Sequence, residues 1–143
     1  MTIPVPAKIR ALLILALLAA FPPLSTDMYL PALPSLTAVW GSTETIINLT
    51  LVGFFVSFSL ALLFYGPLSD RYGRKPVLMG GISLYILACL VCAQAGSPTA
   101  LIVGRVLQGM GAASASTLSL AMTKDYFVGA EREKALEIGR AHV

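Results

Sequence analysis

Four long apolar stretches determine what this chain can fold into. They cover residues 11–30, 46–65, 77–95 and 99–122, and short polar segments separate them. Each stretch is close to the about 20 residues that a helix needs to cross a bilayer. Backbone N–H and C=O groups find no water inside a bilayer, so a spanning segment must satisfy them internally as a helix. The sequence therefore predicts an all-α membrane protein with four transmembrane helices.

The composition supports a membrane protein and excludes several other classes. Of the 143 residues, 57% are hydrophobic and 12% are charged, whereas a typical soluble domain has about 25% charged residues. The basic residues lie beside the apolar stretches and lack interleaved aromatic residues, so we expect no nucleic-acid partner. The sequence shows no nucleophile–base pair, phosphate-binding loop or metal-ligand spacing, and we therefore expect no enzyme activity, no cofactor and no metal site. Cys89 and Cys92 lie within the third stretch and are expected to be reduced thiols.

The distribution of basic residues predicts the orientation in the membrane. Of the 10 Lys and Arg residues, nine lie before the first stretch, in the segment 66–76, or after the fourth stretch. The remaining one, Arg105, lies inside the fourth stretch, and the other two connections contain none. Cytoplasmic loops carry an excess of Lys and Arg. The pattern therefore predicts that the N-terminus and the segment 66–76 lie in the cytoplasm.

Asp27 and Arg105 are ionisable residues inside apolar stretches. Such residues are costly in a membrane and mark functional sites by default. Counted along their helices, both lie in the outer half of the membrane at similar depth, and we expect them to share a cavity. Pro22 and Pro23 are expected to interrupt the first helix just before Asp27. Two interpretations stay open: a structural ion pair that orients two helices, and a carboxylate that exchanges its proton when a substrate enters.

The segment 66–76 is charged and short, and we expect it to form a turn between two helices at the membrane surface. Gly73 suits a turn that requires a positive φ. Asp70 is expected to pair with Arg71 or Arg74, or to cap the N-terminus of a helix.

Three motifs, in this order along the chain, resemble signatures of transporters. Residues 24–34, L-S-T-D-M-Y-L-P-A-L-P, are similar to the end of helix one in the bicyclomycin-resistance (Bcr/CflA) type of drug-efflux transporter. Residues 66–76, G-P-L-S-D-R-Y-G-R-K-P, resemble the loop between helices two and three of the major facilitator superfamily. Residues 101–113, L-I-V-G-R-V-L-Q-G-M-G-A-A, resemble that superfamily's helix-four signature, whose Arg is linked to proton coupling.

This resemblance implies a function for the chain and roles for its residues. Residues 1–136 would form part of the N-terminal six-helix half of a transporter that exports several drugs in exchange for protons across the inner (plasma) membrane. Its partners would be small-molecule drugs, protons, the lipid bilayer and the missing C-terminal part of the same transporter. The implied proton and substrate region comprises Asp27, Met28, Tyr29, Arg105 and Gln108. The implied cytoplasmic gate comprises Gly66, Asp70, Arg71, Gly73 and Arg74.

Residues 137–143 break the apolar pattern expected of a fifth helix. One reverse translation of this E-I-G-R-A-H-V segment matches a common sequencing adapter. We interpret residues 138–143 as adapter read-through and the chain as a truncated gene product. We expect such a fragment not to transport by itself, because half of the walls of its cavity would be missing.

Two other interpretations remain open. A complete four-helix small multidrug exporter that acts as a dimer fits the number of apolar stretches, although the Glu expected early in its first helix is absent. A non-transporting membrane scaffold also fits the composition. Extending the reading frame in the genome separates both from the leading interpretation.

Overall fold

The computed structural model describes the backbone of residues 5–140 and the side chains of residues 9–125, and this part of the chain is helical without strands. In the described backbone five α-helices follow one another, with a short 3-10 helix, Leu30–Ala32, after the first. Their bounds are Val5–Asp27 (α1), Leu33–Trp40 (α2), Glu44–Tyr72 (α3), Arg74–Ala93 (α4) and Pro98–Arg140 (α5).

Within the described residues, three segments are long and apolar enough to cross a membrane: Ile9–Trp40, Glu44–Tyr72 and Arg74–Ala93. They correspond to the first three predicted stretches, and the predicted all-α membrane fold is confirmed. The fourth stretch, 99–122, lies in α5, which is not among these three. It is less apolar because it carries Arg105, Gln108 and many small residues, and its crossing of the membrane stays a prediction.

Helix α5 holds the bundle together by packing against α1, α3 and α4. Fully buried residues concentrate on it, including Ala112, Ala113 and Leu118. Its glycines allow close approach, since a Cβ on Gly111 would lie 2.7 Å from the backbone nitrogen of Tyr85 in α4. Small residues at helix contacts are the usual means of packing helices in a bilayer, where apolar burial alone gives no net driving force.

Pro22 and Pro23 lie inside α1 and do not interrupt it, so that prediction is wrong. A proline removes only its own N–H, and a spanning helix can accommodate the carbonyl that is freed one turn earlier. The Thr26 hydroxyl donates a hydrogen bond of 3.2 Å to the carbonyl oxygen of Pro22. The helix continues to Asp27, which brings this carboxylate to its C-terminal end.

The chain after α1 is more helical than the sequence predicted. Helix α2 occupies most of what was expected to be a connection. Pro31 and Pro34 lie in the first turns of the 3-10 helix and α2, where a missing N–H needs no partner. Gly41, at a φ of 56°, ends α2. The path from α2 to α3 is therefore only residues 41–43.

Gly73 alone separates α3 from α4, and the expectation of a turn across 66–76 is wrong for most of that segment. Gly73 has a φ of 91°, which confirms the predicted positive φ. Its N–H donates a hydrogen bond of 3.0 Å to the Ser69 carbonyl oxygen. An apolar pattern marks where a helix leaves the membrane and not where it ends, because Leu, Asp and Arg extend a helix into water at small cost.

Candidate functional site

Arg105 is the best-enclosed charged side chain of the described residues, with only 3% of its surface exposed. Its Nη1 donates a hydrogen bond of 2.8 Å to Oε1 of Gln108, one turn further along α5. The guanidinium carbon lies 3.4 Å from the centre of the Tyr29 ring and 5.6 Å from that of Phe54. Aromatic faces attract cations, so these contacts stabilise the charge without neutralising it.

Tyr29 is held beneath Arg105 by a contact to α3. Its hydroxyl shares a hydrogen bond of 2.7 Å with Oγ1 of Thr50. Thr50 is fully buried and also donates to the Ile47 carbonyl oxygen at 2.6 Å. The turn that follows α1 is thereby connected through α3 to the cation on α5.

Gln108 connects Arg105 to α4. Its Oε1 accepts from Arg105, and its Nε2 donates to the Sγ of Cys89 at 3.1 Å. Cys89 and Cys92 are both free thiols, as the sequence predicted. Because both ends of the amide are engaged, the orientation of Gln108 is defined by its neighbours on two helices.

A cavity of about 540 Å³ opens beside Arg105. Four of the five residues assigned to the proton and substrate region line it: Met28, Tyr29, Arg105 and Gln108. The sequence did not indicate several further lining residues, which include Ser25, Trp40, Tyr85 and Cys92. Gly111 is a sequence signal for a close neighbour at this point of α5, because a glycine lets another helix approach, but the sequence does not identify that neighbour as α4.

The structure does not bring Asp27 to Arg105. Asp27 is exposed and lines a separate cavity of about 390 Å³ with Thr26, Phe58 and Ser116. No ion pair joins Asp27 to Arg105 among the described side chains. The prediction of a shared cavity is therefore wrong. Counting residues along two helices gives the depth of each side chain in the membrane but not the direction in which it points. Successive helical residues point about 100° apart, so Asp27 can face away from the cavity that Met28 and Tyr29 line.

The expected pairing of Asp70 with Arg71 or Arg74 is also wrong among the described side chains. Arg74 Nη2 instead lies 3.0 Å from Oδ2 of Asp125 on α5. Arg71 lies over the ring of Tyr72, with its guanidinium carbon 5.4 Å from the ring centre. Asp125 was missed because it follows the fourth apolar stretch in a charged run that looks like an ordinary solvated tail.

Gly66, Asp70 and Arg74 nevertheless meet at one place. They line a cavity of about 310 Å³ at the junction of α3 and α4, together with Lys124 and Asp125 of α5. Gly73 supplies the break between the helices, and Arg71 points to the exposed surface. Three of the five residues of the predicted gate therefore line this cavity, and residues of α5 line it as well.

The sequence matches the family described as the Major Facilitator Superfamily over residues 15–141. The chain belongs to the Major Facilitator Superfamily. Membership in this superfamily disfavours the alternative of a four-helix small multidrug exporter.

Curated relatives of this facilitator chain carry names that refer to drug resistance. The chain is 37% identical over 113 residues to a "Chloramphenicol resistance protein" of Pseudomonas aeruginosa, covering 79% of this chain and 27% of that protein. It is 31% identical over 120 residues to "Multidrug resistance protein D" of Escherichia coli K12, covering 84% of this chain and 30% of that protein. The chain thus spans less than a third of the length of these relatives.

Proposed function

We propose that this chain is the N-terminal part of a proton-coupled multidrug-efflux transporter of the Bcr/CflA type in the inner membrane. The cavity beside Arg105 is the observation that carries the proposal. It lies between helices in a family of transporters, and its volume is in the range of about 300–1,000 Å³ that is typical of small-molecule sites. Relatives named for resistance to chloramphenicol and to several drugs support efflux as the direction.

Drug binding and proton binding are assigned to two different cavities. The drug binds beside Arg105, Gln108, Tyr29 and Met28, and Asp27 carries the proton in the neighbouring cavity. Asp27 immediately precedes Met28 and Tyr29 at the end of α1. A movement of this turn on drug binding would therefore change the surroundings of the carboxylate, which couples the two events without direct competition.

Transport measurements on the full-length transporter test this proposal. The protein in proteoliposomes should export chloramphenicol when a proton gradient is imposed, and Arg105→Ala should reduce the rate at least about tenfold. Asp27→Asn should lose the response to the gradient but keep drug binding. Arg10→Ala is the matched control, because Arg10 is exposed at the start of α1 and should leave transport unchanged. Transport by wild type that ignores the gradient, or normal rates in Arg105→Ala, would refute the proposal.

We also propose that the N-terminus and the α3–α4 junction face the cytoplasm, where Asp70 and the Arg74–Asp125 pair act in a gate. The positive charges around the junction support this orientation. Tyr72 is 61% exposed beside Gly73. A cysteine in Tyr72→Cys should react with an impermeant thiol reagent in inverted vesicles and stay unlabelled in intact cells. Labelling in intact cells would reverse the orientation.

A further inference from the structure

Arg105 has a donor group that nothing in its surroundings uses. Its Nη2 is buried and has no hydrogen-bond partner, whereas Nη1 is engaged by Gln108. An unpaired donor that is shielded from water costs about 1–3 kcal/mol, and more when it is charged. Arg105 is therefore held at the wall of the cavity with incomplete pairing.

The charge of Arg105 is also uncompensated. Among the described side chains, no carboxylate lies within 4.0 Å of it, and the only ion pair is that between Arg74 and Asp125. The partners of Arg105 are a neutral amide and the faces of two aromatic rings. A cation in the low-dielectric interior of a membrane protein is stabilised most by an opposite charge.

The lining of the cavity also offers no negative charge to balance Arg105. Its described lining residues include hydroxyl, thiol and aromatic groups but no Asp or Glu, because the nearby Asp27 belongs to the neighbouring cavity. Tyr29, Trp40 and Tyr85 supply aromatic walls. A cationic ligand would meet Arg105 without any counter-charge, whereas an anionic aromatic ligand would meet both a cation and ring faces.

We propose that the Arg105 cavity selects aromatic compounds that carry a carboxylate, whose negative charge is attracted by the Arg105 guanidinium, and disfavours lipophilic cations. This inference rests on the proposed drug-binding role of the same cavity and names its substrate class. Opposite charges attract each other strongly where little water screens them.

The chain contains its own reporter for this cavity. Its single tryptophan is Trp40, which lines the cavity. Quenching of its fluorescence by nitroaromatic compounds therefore measures binding there directly. Three probes of nearly equal size carry different charges on the same nitrophenyl ring: 4-nitrobenzoate, 4-nitrobenzamide and 4-nitrobenzylammonium.

The purified chain is titrated with each probe in nanodiscs of neutral lipid. The benzoate should bind most tightly, the amide less tightly and the ammonium least, with the benzoate Kd at least about tenfold below that of the amide. Arg105→Gln should abolish the difference between benzoate and amide, while Arg105→Lys should keep part of it because the charge remains without the planar fork. Arg10→Gln should change nothing. Circular dichroism and an unchanged Kd for the amide show that each variant retains its fold.

Any of four results would overturn the inference. They are preference for the ammonium probe, equal Kd values for benzoate and amide, the same order of Kd values in Arg105→Gln, and no saturable quenching by any probe. These outcomes differ from failure of the proposed function. A transporter that exports only cationic drugs through this cavity would refute the substrate class but leave efflux intact. Carboxylate binding in a protein that transports nothing would refute efflux but leave the substrate class intact.

Discussion

The arrangement around Arg105 depends on a few side chains that each engage two partners. Tyr29 offers its ring to the guanidinium and its hydroxyl to Thr50, while Gln108 contacts Arg105 and Cys89. Buried polar groups in such a network depend on one another, so a change in one shifts the others. We therefore expect the position of the Arg105 charge to be sensitive to Thr50, which does not line the cavity.

Replacing Thr50 by valine tests this coupling. Thr50→Val keeps the side-chain shape but removes the partner of the Tyr29 hydroxyl, a loss of about 1 kcal/mol for one hydrogen bond. The Kd for 4-nitrobenzoate, measured by Trp40 quenching, should rise by about fivefold. Thr50→Ser should restore it because the hydroxyl returns, and Ser83→Ala, which removes an exposed hydroxyl bonded to the Met79 carbonyl oxygen, is the control. Identical Kd values for Thr50→Val and wild type would show that Tyr29 needs no such support.

At the scale of elements, α5 brings the other helices together. A Cβ at Gly109 would collide with Ser57 and Phe54 of α3, and one at Gly111 with the backbone of Tyr85 in α4. The same helix carries Arg105 and Gln108, so the small residues that set the helix spacing also set the width of the cavity.

The two alanine substitutions Gly111→Ala and Gly80→Ala should have opposite effects on stability. At Gly111 the added methyl group meets backbone, which must move, and we expect a loss of about 1–3 kcal/mol. Gly80 of α4 is exposed with open space around it, so alanine should gain up to about 1 kcal/mol from its helix propensity. Loss of helical circular dichroism of the chain in detergent, followed against added SDS, measures both. Equal midpoints for the two variants would contradict close packing of α4 on α5.

At the scale of the whole molecule, the sequence predicted the helices better than their ends and directions. Hydropathy located three helices long and apolar enough to span a membrane, but it could not show that α3 continues beyond its apolar stretch to Tyr72. Motif resemblance found Arg105, Gln108, Tyr29 and Met28 for the same cavity. It also assigned Asp27 to that cavity, wrongly, since the direction of a side chain around its helix depends on how the helices pack.

Chloramphenicol protection of Cys92 tests most directly whether the Arg105 cavity is the drug site. Cys92 lines this cavity and is half-buried, so a small alkylating reagent can reach it when the cavity is empty. In the full-length transporter in proteoliposomes, saturating chloramphenicol should slow alkylation of the Cys92 peptide at least about fivefold, as followed by mass spectrometry. The same drug should not slow alkylation of the exposed cysteine in Tyr72→Cys. An unchanged rate at Cys92, under conditions where the drug is exported, would place the drug site elsewhere.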